Sequence, residues 1–165
     1  IIKLIQDTAN EGFSALKAQA LREKIQTIKK VKKAFVKFST DGLVFVEVVE
    51  REEAVVFFNN NLYEVLDVEG VILKVSKDLR GLSSFPLIVG KSASQNIQNL
   101  LSLVHEIGST KSDVLYYEWI GERRWDIHMR DNIVFRLPEN NLNKGLELMH
   151  IFLNNKNLGS WLTFF

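Results

Sequence analysis

Hydrophobic and polar positions alternate most clearly between residues 121 and 139. Trp125, Ile127 and Met129 alternate with Asp126, His128 and Arg130, the period-two pattern of a half-buried strand. Asp131-Asn132 tolerate positive φ and predict a tight two-residue turn. Ile133, Phe135 and Leu137 then alternate with Val134 and Arg136 on a return strand, which Pro138-Glu139 stops while opening a helical segment. The stretch reads as a rigid hairpin that displays Arg123 and Arg124 at one end.

The same reading organises the rest of the chain. Apolar residues at 1, 2, 4 and 5 suffice for a short helix, which Asn10-Glu11-Gly12 breaks. Residues 14–28 form a stronger one, with Leu16, Ala20, Leu21, Ile25 and Ile28 on one face and Ser14 as a candidate N-cap. Strands over 34–38 and 43–49 flank Ser39-Thr40-Asp41-Gly42, a hairpin turn, and Val44, Val46 and Val48 give the second strand one apolar face. Short β-type runs follow at 54–58, 62–66 and 71–75, and 85–90 is a short extended piece. Ser92 or Ser94 is expected to cap a helix carrying Ile97, Leu100, Leu101, Val104 and Ile107, ended by Gly108. A strand at 114–120 precedes the hairpin, and Leu142, Leu146, Met149 and Leu153 mark a last helix.

The prediction is an α+β protein. A small α/β unit over 1–51 precedes a unit over 52–165 of mainly antiparallel strands with two helices. Trp161 to Phe165 reads as a strand cut mid-course, because apolar surface at a free terminus is costly to expose. The chain is therefore expected to be an excerpt of a longer protein.

Composition narrows the chemistry. At 165 residues with 46% hydrophobic and 25% charged residues, the core needs no disulfide or metal staple. A formal charge of +1 gives no global pull toward nucleic acid. The absence of cysteine removes thiolate catalysis, cysteine zinc sites and disulfides together. His105, His128 and His150 fall on three different elements, so nothing in their spacing requires a metal or catalytic cluster. Glu50, Glu52 and Glu53 beside Arg51 read as a charged turn rather than an acid–base pair. No phosphate-cradling glycine loop or Ser-His-Asp context is present. No catalytic, cofactor or metal residues are assigned.

Two clusters remain. Lys29, Lys30, Lys32, Lys33 and Lys37 could grip phosphates or an acidic membrane surface, although a solvated helix end is the default reading. Arg123-Arg124-Trp125, with Tyr116, Tyr117 and Trp119 on the preceding strand, gathers the residue types that dominate protein interfaces. Trp125 is expected to be core, leaving the arginines as candidates for partner contact.

Several motifs in a fixed order resemble the periplasmic region of the FtsQ family of bacterial cell-division proteins, in its alphaproteobacterial form. They are Glu47-Val48-Val49-Glu50-Arg51; Asp67-Val68-Glu69-Gly70-Val71; Phe85-Pro86-Leu87-Ile88-Val89-Gly90; Arg123-Arg124-Trp125; and Leu137-Pro138-Glu139. The likeness covers almost the whole chain. Departures fall at turns: Ser39-Thr40-Asp41 stands for the family's Trp-Pro-Asp, Glu53 for a proline, and Asp131-Asn132 for Asn-Gly.

The resemblance implies a POTRA-like (polypeptide-transport-associated) first unit lacking its first strand, and a β domain lacking its last strands. It implies a non-enzymatic scaffold without cofactors at the periplasmic face of the inner membrane at the division septum, anchored by an N-terminal span that would precede Ile1. Its partners would be the FtsB–FtsL pair, added as a strand to the β domain, and other division proteins through the POTRA-like unit. Arg123, Arg124, Trp161, Phe164 and Phe165 are the partner-binding candidates. The alternative is a POTRA-type chaperone module for outer-membrane β-barrel proteins, which predicts tandem units or a following barrel.

Overall fold

The computed structural model describes residues 1–10, 15–41 and 43–155. The fold is α+β and divides into two compact units, Ile1–Glu52 and Glu53–Phe165.

In the first unit, helices α1 (Ile2–Asn10) and α2 (Ala15–Gln26) precede the antiparallel strands β1 (Val31–Phe38) and β2 (Val44–Glu50). The helical stripe works as its spacing predicts: Leu21 and Ile25 are buried against Val31 and Ala34, with Leu4, Ile5, Ile28, Val36, Val46 and Val48 packed around them. Ala20, counted on that stripe, is exposed. The predicted cap at Ser14 lies outside the described residues.

The second unit is built on a seven-stranded sheet in the order β5-β4-β3-β6-β7-β8-β9. Its strands are β3 (Val55–Asn59), β4 (Leu62–Leu66), β5 (Ile72–Ser76), β6 (Leu87–Val89), β7 (Val114–Ile120), β8 (Arg124–Met129) and β9 (Val134–Arg136). Neighbours pair antiparallel except at the three-residue β6, which lies parallel to both β3 and β7 and joins two antiparallel meanders. Helices α3 (Ile97–Ile107) and α4 (Leu142–Asn154) supply Ile97, Leu100, Leu103, Ile107, Leu146 and Met149 to a core shared with Val55, Ile88, Tyr117, Trp125 and Ile127. A smaller cluster of Val56, Val65 and Leu82 is backed by Leu79 and Phe85.

Two of the sequence motifs are explained by backbone demands. Asp67, 2% exposed, ends β4 and accepts the Glu69 and Val71 N–H groups on Oδ1, both at 2.9 Å, so the carboxylate shapes the turn into β5. Gly90, at φ 110°, closes the run that begins at Phe85; a Cβ there would meet the Trp119 carbonyl oxygen at 2.4 Å. Only glycine admits that approach of β6 to β7.

Three local expectations are corrected. The β8–β9 hairpin closes through a three-residue loop, with Met129 N–H donating to the Ile133 carbonyl at 2.9 Å and Asn132 at φ 63°. A two-residue turn at Asp131-Asn132 would set Ile127 across from Arg136, whereas Ile127 faces Phe135. The last helix starts at Leu142 rather than at Pro138, after Asn141 in a left-handed conformation. Neither Ser92 nor Ser94 makes a side-chain cap: α3 is preceded by a 3₁₀ turn over Ala93–Asn96, and the Ser92 hydroxyl reaches Glu122 Oε1 at 3.4 Å instead.

Candidate partner-docking site

Strands β7 and β8 sort their side chains by period two. On the core face Trp119 and Trp125 lie opposite each other with ring centroids 4.9 Å apart, and Trp125 Nε1 donates to Asn99 Oδ1 on α3 at 3.0 Å. Trp125 is 2% exposed, the core residue its position predicts. Tyr117 shares this face, and burial pushes its hydroxyl up to about 12.

The other face is polar and runs across three strands. Glu118 faces Asp126, which faces Arg136; one step along, Tyr116 faces His128, which faces Val134. His128 Nε2 lies 2.8 Å from Glu118 Oε2, and its ring stacks on Tyr116 at 4.2 Å. The aromatic residues grouped with the arginines in sequence are thus divided: Tyr116 joins the polar face, while Tyr117 and Trp119 join the core.

The two adjacent arginines also separate. Gly121 and Glu122 both hold φ 58°, and Arg123 N–H donates to the Ile120 carbonyl at 3.2 Å, turning β7 into β8. Beyond this turn Arg123 projects with its side chain 59% exposed, its nearest carboxylate being Glu139 at 3.9 Å. Such an exposed pair is worth about 0–1 kcal/mol and is easily exchanged for another carboxylate. Arg124, inside the strand, donates from Nε to Asp126 Oδ1 at 2.9 Å on the polar face. Asp126 is 5% exposed, so this guanidinium is committed to it. Beside the turn, Lys91 Nζ lies 3.0 Å from Glu122 Oε1 and holds the Glu122 carboxyl below its ordinary range.

Strand β9 pairs with β8 alone among the described residues and forms one edge of the sheet. Arg136 is exposed on it, directly across from Asp126. Sequence reasoning placed Arg136 in the alternation without assigning it a role; the predicted two-residue turn sets Asp126 against Leu137, and the three-residue loop brings Arg136 across from it. Trp161, Phe164 and Phe165, the other predicted contacts, lie outside the described residues.

Other candidate chemistry is dispersed. His105 and His150 sit on α3 and α4, away from the Glu118–His128 pair on the sheet. Among the described residues no three His, Asp or Glu side chains are placed to hold a metal ion. Glu53 pairs with Lys74 at 3.1 Å, the charged-turn role expected for it. Among the described residues no helix is long and apolar enough to cross a membrane.

The family model described as "Cell division protein FtsQ/DivIB, C-terminal" matches residues 54–155. The cell division protein FtsQ of Rickettsia typhi is 25% identical over 158 residues, covering 96% of this chain and 59% of that protein. The FtsQ of Bradyrhizobium diazoefficiens is 28% identical over 134 residues, covering 81% and 39%. The chain thus spans about half the length of the curated relatives it matches. The major extracytoplasmic domain of the cell division protein DivIB from Geobacillus stearothermophilus aligns at a TM-score of 0.46 and 14% identity, over 68% of this chain and 99% of that one.

Proposed function

The chain belongs to the FtsQ/DivIB family of cell-division proteins, and from that membership we propose that it is the extracytoplasmic part of a non-enzymatic division scaffold that captures the FtsB–FtsL pair. The observation that supports this reading best is an uncommitted guanidinium near the end of β9, the edge strand among the described residues: Arg123 is exposed and lies within 3.9 Å of Glu139, three residues beyond β9. A partner strand added to the sheet of the β domain gains main-chain hydrogen bonds, and Arg123 can exchange Glu139 for a partner carboxylate. Arg136, on the same edge strand, adds a second cation to the surface such a segment would meet.

On this reading the full-length protein works at the periplasmic face of the inner membrane at the septum, held by a span N-terminal to the present residues. The POTRA-like first unit then recruits, or is recruited by, other division proteins.

The test is a pull-down of FtsB by the full-length protein. Arg123→Glu is expected to weaken capture while the thermal melt stays within about a degree or two, because the side chain is exposed. Normal FtsB retention by Arg123→Glu would sink the proposed docking mode.

A further inference from the structure

The β1–β2 hairpin has two faces, and only one is used by the core. Val36, Val46 and Val48 point to the helices. On the opposite face the register sets Lys33 against Val49, Phe35 against Glu47 and Lys37 against Phe45, with Leu43 at the end of the row. The apolar members are largely in solvent: Phe35 53% exposed, Leu43 54%, Phe45 56% and Val49 40%. Two phenylalanines and a leucine side by side on a sheet face are a feature that soluble surfaces rarely keep without use.

We propose that this face docks on an anionic lipid surface. The charge pattern favours lipid: Lys33 and Lys37 flank Phe35 on one strand, and Glu47 is the one acidic residue among the pairs of this face, Glu50 being paired with the buried Val31. Lysine stems lie along apolar surface while their ammonium heads reach lipid phosphates, and aromatic rings settle at headgroup depth. Charge is also segregated along the chain. Residues 1–52 hold ten Lys/Arg against seven Asp/Glu, whereas residues 53–165 hold eleven against thirteen. The unit bearing the apolar face is therefore the cationic one, and Lys29 and Lys30 precede the same strand.

A second copy is the weaker occupant on area. The four apolar side chains expose roughly 400 Å² together, against about 800 Å² per partner in a standard interface. This inference is independent of FtsB capture, which concerns the other unit.

The test uses the 165-residue chain in vesicle flotation, comparing phosphatidylglycerol/phosphatidylethanolamine vesicles with phosphatidylcholine vesicles. Expected are binding to the anionic vesicles that weakens with salt, and little to the neutral ones. Lys33→Ala and Lys37→Ala should each lower affinity about fivefold. Phe35→Ser/Phe45→Ser should lower it at least tenfold, and Glu47→Gln should raise it severalfold. If the phenylalanine variant melts early, the lysine and Glu47 variants carry the test, since their side chains are exposed and contribute little to folding. No binding to anionic vesicles, or binding unchanged in all variants, overturns the proposal. So does dimerisation that the variants abolish while vesicles are ignored, which would assign the face to a second copy.

Discussion

Arg123 and Arg124 are neighbours in the chain with opposite energetic roles. Arg124 neutralises a carboxylate that is 5% exposed, so Arg124→Ala strands Asp126 without its partner and should cost about 1–3 kcal/mol. Arg123→Ala removes only an exposed contact and should stay within about 0.5 kcal/mol of the parent. Urea denaturation of the two variants measures the difference directly, and equal losses would contradict the division of labour. Tyr117 gives a second residue-level prediction. Its hydroxyl is raised to about 12 in the folded protein, against an ordinary value near ~10 in the unfolded chain. Between those values the unfolded chain releases the proton while the folded protein keeps it, so stability falls as pH rises from 10 to 12. The loss approaches about 2–3 kcal/mol. Tyr117→Phe should flatten that part of the alkaline limb, read from denaturation midpoints at pH 9 to 12. The reading of Trp125 as core was available from sequence because alternation alone sets it opposite Asp126 and His128. The commitment of Arg124 was not, because adjacent residues look alike until the turn at Gly121-Glu122 shows which one enters the strand.

At the scale of elements, legibility tracked locality. Strands 62–66 and 114–120 are found at their predicted limits because each is a run of β-forming residues bounded by turn signals. The position of β6 was illegible. Three residues carry no period, and their parallel pairing joins segments about thirty residues apart on either side. Its motif makes sense once that pairing is known: Gly90 is the residue that lets β6 approach Trp119. Gly90→Ala combines positive φ with an overlap against backbone that cannot rotate away. It should cost about 3 kcal/mol or more, visible as a sharp drop in thermal midpoint. Gly145 poses a finer question of sign. It lies inside α4, where alanine is worth up to about 1 kcal/mol more than glycine. Yet its added Cβ would sit 2.6 Å from Pro138 Cδ and 3.2 Å from Cγ, and a proline ring has little room to yield. Overpacking of this kind costs about 1–3 kcal/mol, so Gly145→Ala should destabilise despite the helix propensity. The same contact relates Pro138 to the last helix: it packs against α4 rather than starting it.

The molecule as a whole combines two cores of unequal strength. Among the described residues the first unit buries Leu21, Ile25, Val31 and Ala34, while the second unites residues from five strands and two helices around Ile88, Leu100 and Ile127. A fully buried aliphatic side chain contributes about 1.5–3 kcal/mol, and small cores offset chain entropy least well. The first unit should therefore open at lower free energy than the second. Native-state hydrogen exchange read by peptide mass spectrometry tests this: amides of β1 and β2 should exchange at least tenfold faster than those of β3, β7 and β8. Equal protection of both units would mean that they open together and that the smaller core draws its stability from the larger. The asymmetry has a functional sense within the proposed scaffold. A docking surface works by holding the Arg123 turn in place before a partner arrives, which the large core can do. A unit that meets a lipid surface needs only one exposed face, and a small core is enough to present it.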